Sequence, residues 1–487
     1  MATTRLLPSL AALLLTAFTV CETVRAAAPP NLVFIIADDC TFRDIGCYGG
    51  QAYTPNIDRL ATEGMQFSQC HQSAPMCSPT RHNIYTGLYP VKSGAYPNHT
   101  FAKDGTKSIV HYLKPLGYRV ALSGKTHIGP GDVFPFEYSG KNNNPDMDAI
   151  ETFMQQSIDS QTPFCLFACS NEPHSPWNKG DASRYPPVDV KLPPYIVDTP
   201  QMREDFSHYL AEITYYDDQV GQILALIDKM QARDNTLVMV VSEQGNSFPF
   251  AKWTCYGNGL QSAMIVRWPG QVAAGSTTDA LVEYTDVTPT FVEAAGGVPD
   301  SSLDGQSFVD VLTGKADKHK AYTFGEMTTR GIINGSDVYG IRSVRGWRYR
   351  LIWNLNHEVK FQNACTQAGY FRSMVDKAES GDETARELVD KYLYRPEFEL
   401  YDCETDPLEM NNLAGDPKLA KVQARLKEQL DQWMQSQGDQ GKETEERALL
   451  RQKKFVGMTM QQAVDAWQNK GRVKGKKGKA AGKKKKQ

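Results

Sequence analysis

Five short apolar runs, spaced by amphipathic stretches, constrain the fold of this chain more than any other feature. They lie at 31–37, 118–123, 164–170, 236–242 and 263–268, and the first, Asn-Leu-Val-Phe-Ile-Ile-Ala, carries no charge. A strand apolar at nearly every position has no face to give to water, so it belongs in a sheet covered on both sides. Helical patterns between the runs, clearest over 203–230 and 286–295, supply the cover. The expected fold class is α/β, a large mostly parallel sheet flanked by helices. Beyond about residue 320 the texture changes. Segments 339–344 and 347–354 read as two strands turning at Arg345-Gly346, part of a smaller C-terminal antiparallel sheet. A helix over 416–436 should pack on it.

With 487 residues there is room for more than one unit. The expected divisions are a signal peptide over 1–28, a catalytic α/β domain over 29–320, a C-terminal subdomain over 321–440, and a helical then basic tail over 441–487. Arg5, the apolar stretch 6–20 and the small residues up to Ala26 and Ala28 form the signal, and imply export to the periplasm or the cell exterior. A retained anchor, or one lipidated at Cys21, is the alternative, although 6–20 is short for a span and Val20 is large for a lipidation site. No other segment is apolar and long enough to span a bilayer.

Charge is unevenly placed. Residues 470–487 hold ten Lys or Arg and no acid, and subtracting them from a formal charge of −3 leaves −13 on the rest. An acidic body is a poor partner for nucleic acid. The tail fits either an acidic polymer or a solvated end. The ten cysteines show no repeated metal-ligand spacing, so zinc is not expected. Cys165 and Cys169 sit in an apolar run and read as small buried hydrophobes, and disulfide pairing stays open.

In open α/β sheets, ligand sites gather beyond the carboxyl ends of the strands. Asp38-Asp39 follow the first run, Lys125 and His127 the second, Asn171-Glu172-Pro173-His174 the third, and Glu243-Gln244 the fourth. Chain order therefore brings four strand ends with charged or ligating groups to one rim. Adjacent carboxylates such as Asp38 and Asp39 repel unless a cation or base lies between them. With Glu243 and the amide oxygen of Gln244 they make a set of hard oxygens, suited to calcium or magnesium. An acid pair after a strand can also merely cap a helix or start a turn. Arg81, Lys125, His127, His174 and Lys252 weigh against that, because so many bases beside a metal form a receptor for a tetrahedral dianion undergoing sulfuryl or phosphoryl transfer.

Cys77-Ser78-Pro79-Thr80-Arg81, followed by Tyr85-Thr86-Gly87, resembles the sulfatase signature Cys-x-Pro-Ser/Thr-Arg with its Thr-Gly. Segments 31–39 and 54–61, Arg267-Trp268-Pro269-Gly270, Asp286-Val287-Thr288-Pro289-Thr290 and Glu399-Leu400-Tyr401-Asp402 are similar to further landmarks of that family, so the likeness spans about 31–415. It implies an alkaline-phosphatase-like fold and conversion of Cys77 to formylglycine by a separate maturation enzyme. The hydrate of that aldehyde would attack sulfur, and collapse to the aldehyde would expel sulfate. By position, Arg81 and Lys125 would hold the hydrate, His127 would act as a base, and His174 and Lys252 would contact the sulfate. One calcium ion would be bound by Asp38, Asp39, Glu243, Gln244 and the modified residue 77. Glu243 departs from the aspartate usual there, adding a methylene to the expected ligand.

The stretch 124–138 and Arg395-Pro396 resemble the heparan N-sulfatase (sulfamidase) branch. The expected substrate is thus a sulfated saccharide, with an O-sulfate ester of a polysaccharide or glycosaminoglycan fragment first and N-sulfoglucosamine as the alternative. Trp347, Trp353 and Tyr370 are candidates either for stacking on sugar rings or for the core. A phosphatase or phosphodiesterase of the same fold would want a Ser or Thr nucleophile and usually two zinc ions. A non-catalytic sugar-binding relative would have lost Cys77, Arg81 or Lys125.

Overall fold

The computed structural model describes residues 28–139 and 143–467; the expected signal peptide up to residue 27 and the Lys-rich end from 468 lie outside them. Among the described residues no helix is long and apolar enough to cross a membrane.

The large sheet contains β1 (Asn31–Ile36), β2 (Met65–His71), β3 (Arg119–Gly124), β4 (Glu137–Ser139), β5 (Phe164–Cys169), β6 (Thr236–Val241), β7 (Gln261–Arg267), β8 (Ser276–Thr278) and β9 (Val282–Glu283). Their order is β4-β3-β5-β1-β6-β7-β2-β8, with β9 also on β2. The five expected strands are all present. Four of them, β3, β5, β1 and β6, are contiguous and parallel, whereas β7 runs antiparallel to both β6 and β2. β2 has no counterpart in the sequence reading, because Gln66, Ser68 and Gln69 interrupt its apolar pattern.

Side chains alternate across β1 and reach two separate cores. Val33 and Ile35 pack with Tyr209, Ile213, Tyr216 and Val220 of the helix Pro200–Lys229. Leu32, Phe34 and Ile36 pack on the other face with Ile84, Tyr85, Val287 and Phe291. Both layers are needed because neither side of β1 meets water. Truncating Phe34, fully buried between Phe167 and Phe291, would cost about 3–5 kcal/mol.

The second sheet is antiparallel, in the order β10 (Thr323–Thr328), β11 (Gly340–Arg345), β12 (Tyr349–Asn354), β13 (Phe398–Asp402). The expected hairpin is the β11–β12 pair. The helix Ala420–Gln437 lays Leu426, Leu430 and Trp433 on Val344, Leu351 and Leu400.

Candidate active site

The signature cysteine opens a helix, Cys77–Thr86, in which all ten residues are buried. Pro79 falls in the first turn, where its missing N–H costs no hydrogen bond. Gly87 ends the helix in the left-handed conformation (φ 66°), its N–H donating to Asn83 O at 2.9 Å. Cys77 and Arg81, four residues apart, share one face, so the spacing of the signature sets both side chains toward the same point. The exposed amides and dipole of the first turn favour an anion beside residue 77.

The four parallel strands deliver the rest. Asp38 and Asp39 follow β1 and are fully buried. Lys125 follows β3 and ion-pairs with Asp38, while Lys252, from the loop after β6, donates to Asp39 Oδ2 at 2.7 Å. His174, beyond β5, turns Nε2 toward Asp39 Oδ2 at 3.6 Å, and its other ring nitrogen lies 2.7 Å from Ser175 O. Gln244, after β6, reaches the centre: its amide nitrogen lies 3.1 Å from Asp38 Oδ1, 2.7 Å from Asp39 Oδ1 and 3.1 Å from Cys77 Sγ. Asp39, His127 and Gln244 all hold positive φ, at 63°, 50° and 26°. The backbone thus bends sharply at three strand ends, a strain of roughly 1–3 kcal/mol per residue that surrounding contacts must hold.

Glu243 is paired with Arg81. Its carboxylate faces Nε and Nη2 of Arg81 at 3.1 and 3.2 Å, and Arg81 Nη1 donates to Lys125 O at 3.0 Å. The extra methylene carries its charge to the arginine. His127 Nε2 meets His99 Nδ1 at 2.8 Å, while His127 Nδ1 is buried without a hydrogen-bond partner. His99 is absent from the sequence reading, since a lone histidine between Asn98 and Thr100 carries no periodic or motif signal. Ser247, which donates to Asp39 Oδ2 at 2.9 Å, was equally silent.

Electrostatics follow from burial and these partners. Burial pushes the Cys77 thiol up to about 11, with Lys252 and Arg81 opposing and Asp39 and Glu243 reinforcing, so the unmodified side chain is protonated at neutral pH and a weak nucleophile. Burial brings Lys125 down to about 7, against the pull of Glu243. Burial would raise Asp39, but Lys252 and His174 outweigh it and keep the carboxyl below its ordinary value. His174 is drawn up by Asp39 yet ends below its ordinary value, because burial, Lys252 and Lys125 oppose its charge. Burial and Lys125 hold His127 far down, hence neutral.

The donor set fits a hard divalent cation. Three acceptors converge on one amide nitrogen, and the oxygen of the same amide, Gln244 Oε1, is buried without a hydrogen-bond partner. Oxygen and nitrogen of an amide exchange by a simple rotation, and with a cation between the carboxylates the oxygen would face them. Asp38, Cys77 and His174 also bring ligand atoms within 4.8 Å of one another.

A cleft of about 520 Å³ opens over Cys77, walled by His99, Trp177, Asp205, Trp253, Ile333 and Tyr370. Tyr370 is held there by donating to Ser247 O at 2.8 Å. The other two candidate ring platforms lie elsewhere. Trp347 stands 55% exposed at the β11–β12 turn, and Trp353 stacks on Phe398 at 5.9 Å.

The family model described as sulfatase matches residues 30–298, which include every site position above except Ile333 and Tyr370 of the cleft wall. The chain belongs to the sulfatase family. A second model, the C-terminal part of N-sulphoglucosamine sulphohydrolase, matches 245–364 and 371–436. An ulvan-active sulfatase of Formosa agariphila is 32% identical over 84% of this chain and 81% of its own. The human N-sulphoglucosamine sulphohydrolase is 28% identical over 84% and 90%. A solved structure from work on glycosaminoglycan metabolism by Bacteroides thetaiotaomicron superposes with a TM-score of 0.68 at 19% identity, over 87% of this chain and 99% of that one. This sulfatase therefore has the alkaline-phosphatase-like fold and is a sulfuric ester hydrolase. Among the described residues its nine cysteines are free thiols.

Proposed function

We propose that this sulfatase is exported and removes sulfate from an O-sulfated polysaccharide or glycosaminoglycan fragment, using formylglycine at position 77 and one calcium ion. The observation that carries this reading is the position of Cys77: first residue of a buried helix, in contact with Gln244, beneath an open cleft. As a thiol it is protonated and weak; as the hydrated aldehyde it would supply an oxygen nucleophile that later releases sulfate by collapsing to the aldehyde. The ion, held by Asp38, Asp39 and Gln244, with Glu243 joining by leaving Arg81, would supply positive charge against the developing sulfate charge.

The chain's own groups do the rest. Arg81, fixed by its hydrogen bond to Lys125 O, orients residue 77 from the same helix face. Lys252 and His174, both on Asp39, present cationic or N–H groups to sulfate oxygens and to the leaving oxygen of the sugar. His127, with a bare Nδ1 and a place in the same cleft as residue 77, accepts a proton from the hydrate. Tyr370, Trp177 and Trp253 give the sugar apolar walls, and Asp205 offers its hydroxyls an acceptor.

A second reading, hydrolysis of N-sulfoglucosamine, rests on the match of 245–364 and 371–436 to the sulphohydrolase C-terminal model. Turnover on a panel of defined O-sulfated mono- and disaccharides alongside N-sulfated glucosamine decides between them. Sulfate release from O-esters supports the first reading. Release confined to the N-sulfate supports the second, and release from neither overturns both.

A further inference from the structure

Beyond residue 436, where the C-terminal family model ends, the chain turns back to the catalytic face. Two short helical segments, Lys442–Arg447 and Ala448–Arg451, lead into the turn Lys453–Phe455. Ala448 packs on Val91 and Tyr96, while Leu449 and Phe455 pack on Ala463. From that footing the segment grips the two loops that carry His99 and His127.

The grip is made of directed hydrogen bonds to backbone oxygens. Arg451 donates from Nε to Gly94 O and from Nη2 to Phe101 O, each at 2.7 Å, with its guanidinium 4.3 Å from the Phe101 ring centre. The fit is close enough that a Cβ at Gly94 would lie 2.5 Å from Arg451 Nη2. Thr100 donates to Arg451 O at 2.8 Å and forms an isolated antiparallel bridge with Gln452. Lys453 Nζ donates to Ile128 O at 2.9 Å, one residue past His127. The loop bearing His99 is thus pinned on both sides of the histidine, and the loop bearing His127 is pinned beside it. Both histidines hold positive φ, 57° and 50°, a conformation that needs support from outside. Arg451 and Lys453 spend their donors on carbonyls where an apolar strap would have sufficed for packing. Carbonyl bonds fix position in a way apolar contact does not.

We propose that Arg451 and Lys453 are positioning residues that hold the joined His99–His127 pair in place over residue 77. The proposal rests on the reading of His127 as the base at that residue. A displacement of about 1 Å at a reacting group can cost on the order of a hundredfold in rate.

The test uses the full chain with Arg451→Ala and Lys453→Ala, singly and together. Hydrogen exchange of peptides covering 94–101 and 126–130 is measured beside kcat and KM on a substrate the wild type hydrolyses. Both peptides should exchange faster, and kcat should fall about tenfold for Lys453→Ala and about a hundredfold for the pair, with KM within about twofold. Lys453→Arg should restore most of the loss. Gln461→Ala, an exposed position on the same segment whose side chain pairs with Asp465, should change nothing. Wild-type kcat in the folded variants overturns the proposal, as does a loss that tracks only the unfolded fraction. Should the pair fail to fold, the single variants decide on the same criteria. Exchange is read without turnover, so unchanged exchange in both peptides overturns the strap by itself, whereas turnover by Cys77→Ala would sink the reading of the site and leave the exchange result standing.

Discussion

Two buried charge clusters in this molecule look alike by composition and differ in how they are closed. In one, Lys320 lies between Glu283 Oε2 at 2.8 Å and Asp286 Oδ1 at 2.7 Å. The remaining capacity of those acids is filled by Tyr89 Oη, His319 Nε2 and the N–H groups of Glu283, Gln306 and Phe324. In the other, Lys125 and Lys252 meet Asp38 and Asp39, but Gln244 Oε1 and His127 Nδ1 have no hydrogen-bond partner and three residues hold positive φ. The first cluster is a finished joint between the sheet and the chain after it. The second keeps polar capacity in reserve, which is how a site differs from a brace.

Breaking each cluster should therefore read out differently. Cys77→Ala should abolish turnover with the melting temperature near that of the wild type, checked by sulfate release and calorimetry. Lys320→Met should destabilise the protein by about 3–5 kcal/mol in denaturant unfolding, while kcat of the folded fraction stays unchanged. Burial would raise Asp286, yet Lys320 and His319 hold it below its ordinary value. Its stabilisation is present above the unfolded carboxyl pKa and is lost as pH falls through the lower folded one, so the penalty of Lys320→Met should shrink below about pH 4. Lys252→Ala should invert the pattern and lower kcat by about 10²–10³. Calcium added at about a hundred times its dissociation constant should stabilise the chelated protein by about 2.7 kcal/mol, and Asp38→Asn should erase that shift. Ending the chain after residue 467 should leave hydrolysis of a small aryl sulfate unchanged. A loss there would move the basic end from accessory to participant.

The sheet and its rim were legible because apolar runs and the polar residues just after them follow chain order. Asp38, Asp39, Lys125, His127, His174, Glu243 and Gln244 all lie where a strand ends. What the sequence hid depends on paths through space. β2 is masked by the polar Gln66, Ser68 and Gln69, and nothing in β7 marks its reversal. The turn of Glu243 to Arg81 depends on how a longer side chain packs, which residue type alone does not specify. His99 joins the site through a contact 28 residues away in sequence, and the segment at 451–453 reaches it from more than 300 residues beyond.

On the proposed maturation of residue 77, its burial would also set an order of events in the life of the protein. Only 2% of Cys77 is exposed, and all ten residues of its helix are buried. An enzyme that must seize an extended peptide around this cysteine would find none in the finished fold. Oxidation at this position would thus belong to the newly made chain, ahead of collapse, and become a one-time decision. A molecule that folds first would be locked out of maturation, and mixing it later with the modifying enzyme would not rescue it short of unfolding. Specific activity in a preparation would then record a race during synthesis, and the proportion of aldehyde at residue 77 would be its score.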